Sequence, residues 1–321
     1  MLTAGIDEAG YGPKLGPLTV ACAVWRDERP ARDRNLWSLL APAIVSEPKD
    51  ADPTGVCVAD SKRVLRAGSK FGRARLALLE RSVLALELVR RGDSIDPDQG
   101  SDTPIDLTII DPGLVPRTIP VASDGPAIRI GANRVAGLAN SHGVSIEDAR
   151  LAVLSEEDFN ERVIRARSKA EVSFSLVARH IESVWAHASA LRRPLRVVVD
   201  RQGGRTRYAS VLVRHFGDAQ IRVIDESHAR SAYELSMPGR VTIGIEFRVQ
   251  ADAHEFTVAH ASMIAKYARE LAMLRFNDHW SSIVPELKPT AGYGADANRW
   301  LAELEAIAPP GFDRARLVRR A

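Results

Sequence analysis

Two adjacent acids, Asp7 and Glu8, follow a short apolar run and precede a glycine-rich turn with Gly10, Gly12 and Gly16 and with Pro13 and Pro17. Far downstream Asp200 closes the β-branched run LRVVVD, and Asp252 stands in ADAH just before a helical stretch. Carboxylates driven together repel, and the usual counter-charge is a divalent metal held by oxygen ligands. Two such ions about 4 Å apart activate a water and stabilise the leaving oxygen in phosphodiester hydrolysis. Any one of the four acids reads equally well as a strand-end or capping acid. All four together, each at a strand end or ahead of a helix, fit a two-metal site.

These acids need elements to hold them. Residues 4–25 read as strand, tight turn, strand. Neighbouring side chains of a regular strand point to opposite faces. Asp7 and Glu8 therefore share a site only if the chain bends at Glu8, which Gly10 and Gly12 make cheap. The turn is not a dinucleotide loop: its glycine spacing misses that fingerprint by one, and no helix follows directly. Residues 26–55, with four prolines, read as loop plus a short helix at the apolar patch 36–40. A brief strand at 56–59 leads to Asp60 or Ser61 as a helix cap. One helix is then expected over 62–91, apolar on one face and basic on the other.

Residues 92–150, opened by the turn-rich GDSIDPDQGSDTP, read as an insertion or long excursion. Ser155-Glu-Glu-Asp158 resembles a capping box opening helical structure that runs to about Leu191. The run 195–200 is a buried strand, and the carboxyl ends of such strands tend to form sites in open α/β sheets. Further strand-like or amphipathic pieces occupy 208–216, 220–224 and 240–249. A helix from about 258 to 276, a Gly292-Tyr293-Gly294 loop and a short helix at 296–307, stopped by Pro309-Pro310-Gly311, complete the chain.

The chain has 321 residues, 45% hydrophobic and 26% charged, with a formal net charge of +3. This describes a globular protein with enough apolar content for a core. Whole-chain charge says little about partners, but local charge says more. Residues 62–91 carry nine Lys/Arg against Glu80 and Glu87, a pattern suited to phosphate backbones. Cys22 and Cys57 are too few for a disulfide framework or a cysteine zinc site, which fits a reducing interior. No membrane-spanning run and no signal-peptide pattern is seen, so a cytoplasmic location is expected.

Taken in order, these motifs resemble the type-2 ribonucleases H, the HII and HIII enzymes. Residues 4–23 are similar to the family's opening motif, Asp60-Ser61-Lys62 to its DSK stretch, and VVVD to its third acidic strand. ADAHEFTVAHASMIAKYARE (251–270) is similar to its fourth-acid motif, and Ala291-Gly292-Tyr293-Gly294 to its late tyrosine motif. The resemblance spans most of the chain, though the segment 92–150 finds no counterpart. It implies an α/β, ribonuclease H-like mixed sheet flanked by helices. Residues 1–285 would be the catalytic domain, with 92–150 inserted, and 286–321 a helical extension completing it.

The resemblance further implies Asp7, Glu8, Asp200 and Asp252 as the catalytic, metal-binding set for two Mg²⁺ or Mn²⁺ ions. Backbone groups around Gly10, Tyr11 and Gly12 would sense a ribose 2′-hydroxyl. Lys62 and Lys266 would lie near phosphates with Ser262 nearby, and Tyr293 would stack on the sugar. The implied activity is a hydrolase: an endonuclease cutting the RNA strand of RNA–DNA hybrids, or at ribonucleotides in duplex DNA, and leaving 5′-phosphomonoesters. Two alternatives stand beside it, a structure-specific nuclease of the same superfold and a nucleic-acid-binding protein without turnover. The family pattern has arginine between the two glycines where this chain has Tyr11, a loss of charge at the turn. His260 stands where the family has a small residue, and reads as a satisfied core or surface histidine rather than a catalyst.

Overall fold

The computed structural model describes residues 1–29, 35–67, 73–92, 118–307 and 312–320. The first strand, β1 (Leu2–Ala9), is apolar on both faces up to Asp7, as a central strand covered on both sides must be. It turns back through the glycine-rich loop into β2 (Leu18–Asp27), and the antiparallel pairing runs without a break to Ala9↔Thr19. The expected bend at Glu8 is thus corrected: the strand passes through Glu8, and the backbone turns at Gly10, whose φ is +88°.

Next come α1 (Leu36–Leu40), β3 (Ile44–Val45) and β4 (Val56–Cys57), the last two a small parallel pair. The expected single helix over 62–91 is two helices, α2 (Ser61–Ala67) and α3 (Ala77–Arg91), with a 3-10 turn at Arg73–Leu76 before the second. Asp60 opens α2, its carboxylate accepting the Lys62 N–H at 2.8 Å.

The expected insertion is corrected in its second half. Residues 125–154 form α4 (Gly125–Ser141) and β5 (Val144–Leu154), and β5 pairs with β2 along its whole length, to Leu18↔Leu154. Residues 93–117 lie outside the described residues, as do Pro309, Pro310 and Gly311. β5 is hard to read because its core-facing alternation is interrupted by a bulge opposite Val24 and Trp25. Its charged residues are paired sideways, Asp148 with Arg150 and Glu147 with Arg26 and His187.

Ser155 caps α5 (Glu156–Ala166) by accepting the Asp158 N–H, and Ser168 caps α6 (Lys169–Ala190) in the same way. β6 (Leu195–Asp200), α7 (Ala209–His215), β7 (Gln220–Glu226), β8 (Arg230–Ser236) and β9 (Ile243–Arg248) follow. A 3-10 turn at Ala251–Ala253 leads into the long α8 (Phe256–Ile283), then α9 (Gly294–Ile307) and α10 (Arg314–Leu317).

Among the described residues the main sheet runs β5-β2-β1-β6-β9-β8-β7. β1, β6 and β9 are parallel, and β2 and β5 continue the sheet antiparallel on one side. One face is covered by α3, α4 and α8, the other by α6 and α7. This is a mixed parallel and antiparallel α/β sheet flanked by helices on both faces. The chain leaves β1 toward β2 on one side and later returns as β6 on the other, so β1 sits at the switch point where α/β sheets open a crevice beyond their strand ends.

α8 lies directly across β1. A Cβ at Gly5 would stand 2.1 Å from the carbonyl carbon of Thr257, so only glycine admits this approach. No described helix is long and apolar enough to cross a membrane, and Cys22 and Cys57 are both free and buried.

Candidate active site

A cleft of about 740 Å³ opens at the carboxyl ends of β1 and β6. Pairing of the two strands runs to Ile6↔Val199, so Asp7 and Asp200 are the next residues of both. Asp252 arrives from the turn after β9, and Asp200 fixes that turn by accepting the Ala251 N–H at 2.7 Å. Glu8 leaves β1 toward α6, where the Gln202 amide donates to it at 2.8 Å and also to Ser173. The acids therefore meet from three strand ends.

Asp7 is pushed well above the usual carboxylate range, first by burial, then by the charges of Asp200 and Glu8; a hydrogen bond from Ser262 partly offsets this. Burial drives Glu8 up to about 7 and Asp200 up to about 6, and Asp252 adds to the shift of Asp200. Asp252 is raised by burial and then by Asp60. Burial and like charge both disfavour the ionised form, and the charge of Lys62 partly offsets this at Glu8, Asp200 and Asp252. Among the described residues no three His, Cys, Asp or Glu side chains already form a finished cage around one point. The donor chemistry still fits a particular class of ion: all oxygen, all carboxylate, and suited to hard divalent cations such as Mg²⁺ or Mn²⁺.

The structure brings every expected site residue to this one cleft. Gly10, Tyr11 and Gly12 form one lip, and Lys62, Ser262, Lys266 and Tyr293 line it as well. Lys266 is not a solvated helix lysine: it is largely buried and paired with Glu270. The Ser262 and Ser61 hydroxyls lie 3.0 Å apart, within hydrogen-bond distance, joining α8 to the start of α2. His260 lies outside the cleft lining. It is 2% exposed, its Nδ1 accepts the Trp25 indole N–H at 3.1 Å, and burial pushes it down to about 3. It is a neutral core histidine, as read from the sequence.

The two turn glycines differ. A Cβ at Gly10 would meet the Pro17 carbonyl at 2.6 Å, so the fold requires that glycine. Gly12 is exposed, and a Cβ there would meet nothing within 4 Å. Nothing among the described residues accounts for Gly12.

Sequence reasoning did not assign five lining or supporting residues to the site. Asp60 lines the cleft as well as capping α2, and Arg66 and Arg75 extend its basic wall beside Lys62. The charge count over 62–91 pointed to that wall without singling out these residues. Gln202 carried no sequence signal beyond its place two residues after Asp200. Beneath the turn, the buried Arg269 donates to the carbonyls of Leu15 and Ala291 and sits 5.3 Å from the Tyr293 ring. With Gly292 accepting the Lys14 N–H, it ties the tyrosine loop to the glycine turn.

No family model and no curated protein matches the sequence. Solved structures do. The chain is similar to the RNase HII of Archaeoglobus fulgidus in its complex with PCNA, at 18% identity over 99% of this chain and 94% of that one, with a TM-score of 0.47. It is similar to ribonuclease H2 from Pyrococcus horikoshii OT3, at 19% identity over 100% and 93%, with a TM-score of 0.44. A third likeness is Bst-RNase HIII in complex with Mn²⁺, at 16% identity over 99% and 66%, with a TM-score of 0.47.

Proposed function

We propose that the chain is a divergent type-2 ribonuclease H, a metal-dependent endonuclease acting on the RNA strand of RNA–DNA hybrids or at ribonucleotides within duplex DNA. The observation that carries this reading is the convergence of Asp7, Glu8, Asp200 and Asp252 on one cleft whose opposite wall is basic. Acids of this kind hold divalent cations, and exposed lysines and arginines hold phosphates.

Asp7, Asp200, Glu8 and Asp252 would hold Mg²⁺ or Mn²⁺. When bound, such ions lower the pKa of water and stabilise a leaving oxygen. The chain's own residues do the rest. Lys62, Arg66 and Arg75 seat the backbone along the wall, and the glycine turn lets the sugar edge approach at Gly12. Tyr293, about half exposed, offers a ring face to a neighbouring sugar. Gln202 keeps Glu8 turned toward the cleft. Water adds to phosphorus as the bond to the 3′-oxygen breaks, leaving a 3′-hydroxyl and a 5′-phosphate.

A second reading keeps the chemistry and changes the target to a particular nucleic-acid structure. It is favoured by Tyr11, which brings no charge to the turn. One panel tests both: a DNA duplex with a single ribonucleotide, a full RNA–DNA hybrid, and all-DNA duplex, flap and junction controls, each with Mg²⁺ and with Mn²⁺. Cutting only where ribose is present is expected. Cutting of a ribose-free junction moves the assignment to the second reading, and no cutting of any substrate overturns both.

A further inference from the structure

We propose that Lys169 and Arg205 form a second phosphate-contacting bank beyond Tyr11, so that a nucleic-acid backbone is held on both sides of the glycine turn. This rests on the nucleic-acid reading of the cleft and adds residues outside its lining.

The geometry centres on the Tyr11 ring. It lines the cleft, and the Lys169 ammonium, which does not line it, sits over the ring 4.6 Å from its centroid. A cation over an aromatic face is attracted by the ring quadrupole, which holds a flexible lysine in place without neutralising it. Lys169 has no carboxylate partner among the described residues, unlike Lys266 with Glu270 or Arg63 with Glu47. Burial, and then the charge of Arg319, make the ammonium harder to keep charged. A side chain in that position gains from an anion arriving in front of it.

Arg205 lies on the same side. It follows the Gly203-Gly204 turn after β6, and its guanidinium stands 5.7 Å from the Tyr208 ring and 5.9 Å from the Phe174 ring. It also acts electrostatically on the Tyr11 phenol. It too has no carboxylate partner among the described residues, although the next arginine, Arg207, pairs with Glu226. Two cations held by rings rather than by acids thus flank one lip of the cleft. Lys62, Arg66 and Arg75 occupy the other wall. The charge absent from position 11 is supplied by its neighbours in space, and the ligand class it selects is a phosphodiester continuous with the strand in the cleft.

The test is equilibrium binding in EDTA to a DNA duplex carrying one ribonucleotide, followed by fluorescence anisotropy from 50 to 200 mM KCl. The wild type is compared with Lys169→Gln, Arg205→Gln, their double variant, Lys169→Arg, and Lys62→Gln on the opposite wall. Each phosphate contact adds about 0.9 to the slope of log affinity against log salt. Each Gln variant is expected to lose about 0.9, a change of roughly threefold in its affinity ratio to wild type across that range. The double variant should lose about twice the slope, and Lys169→Arg should keep it. A double variant with the wild-type slope, beside a Lys62→Gln variant that loses slope, overturns the second bank and leaves the cleft reading standing. A wild type that does not bind the duplex overturns both.

Discussion

Gln202 donates its side-chain amide to Glu8 at 2.8 Å, although the two stand 194 positions apart in the chain. The same amide nitrogen donates to Ser173 on α6, so the glutamine is itself held from behind. Glu8 is the one clustered acid that leaves β1 toward the α6 side, and this bond sets its direction. Gln202→Leu removes both bonds at similar volume. Loss of a group that orients a metal-holding carboxylate costs roughly 10–100-fold in metal affinity or activity. The expected result is a rise of that size in the Mg²⁺ concentration for half-maximal cleavage, with KM for nucleic acid near wild type. An unchanged Mg²⁺ dependence would refute this role.

Asp200 follows the last β1–β6 pair, as Asp7 does, raises Asp7 by its charge, and holds the Asp252 turn by accepting the Ala251 N–H. Asp200→Asn keeps an oxygen acceptor for that N–H and removes the charge. Cleavage is expected to fall to the level of the metal-free control while the circular dichroism spectrum and thermal transition persist. Full activity in this variant would remove the metal-holding assignment.

The raised acids also govern stability. In the metal-free protein Glu8 titrates at about 7 and Asp200 at about 6, each above its value in an unfolded chain. Between about pH 4 and 7 the folded state therefore binds more protons than the unfolded state, and these groups make stability fall as pH rises. Below the unfolded values the two states are protonated alike and the penalty disappears. A cation at the cluster offsets the repulsion once the acids ionise. The gain in Tm on adding Mg²⁺ to EDTA-treated protein is expected to grow from pH 5 to pH 8, and to vanish at both ends in Asp200→Asn. A gain independent of pH would contradict the clustering of charge.

Gly10 and Gly12 separate fold from recognition. Gly10→Ala places a methyl against the Pro17 carbonyl at a φ of +88°, and should cost about 1–3 kcal/mol in urea unfolding. Gly12→Ala meets open space within the chain, so its stability should stay within about 0.5 kcal/mol of wild type. Its effect should appear on ribonucleotide-containing substrate as reduced kcat/KM. A Gly12→Ala enzyme with wild-type kinetics would free the turn from any recognition role.

Gly5 lies away from the cleft, yet it sets the depth at which α8 crosses β1. Gly5→Ala forces the added methyl against the Thr257–Val258 backbone, which cannot rotate away as a side chain could. The expected cost is roughly 3 kcal/mol or more. The urea midpoint measures it, and a near-neutral result would mean that α8 slides freely on the sheet.

The sequence was most readable where function and local structure coincide. Asp7 and Asp200 stand at strand ends, the turn needs Gly10, and Ser155 caps a helix, so short-range rules found them. β5 was missed because its alternation is broken by a bulge and Glu147 is satisfied by Arg26 and His187 from far away in the chain, a pairing that no window of residues displays. The break between α2 and α3 was missed because the leucine stripe is compatible with one long helix. Gln202, Arg269 and Gly5 were invisible for a common reason: each matters through a contact more than fifteen positions away in the chain. Lys169 belongs with them, since its meaning depends on a ring far away in the chain.

The glycine turn is fastened from the far end of the chain. Gly292 accepts the Lys14 N–H, Arg269 holds the Leu15 carbonyl, and Arg319 reaches Pro13 and, through its backbone N–H, the Lys14 carbonyl. The turn therefore takes its final form only once Arg269, Gly292 and Arg319 have docked against it, so the β1–β2 hairpin folded by itself does not complete the lip of the cleft.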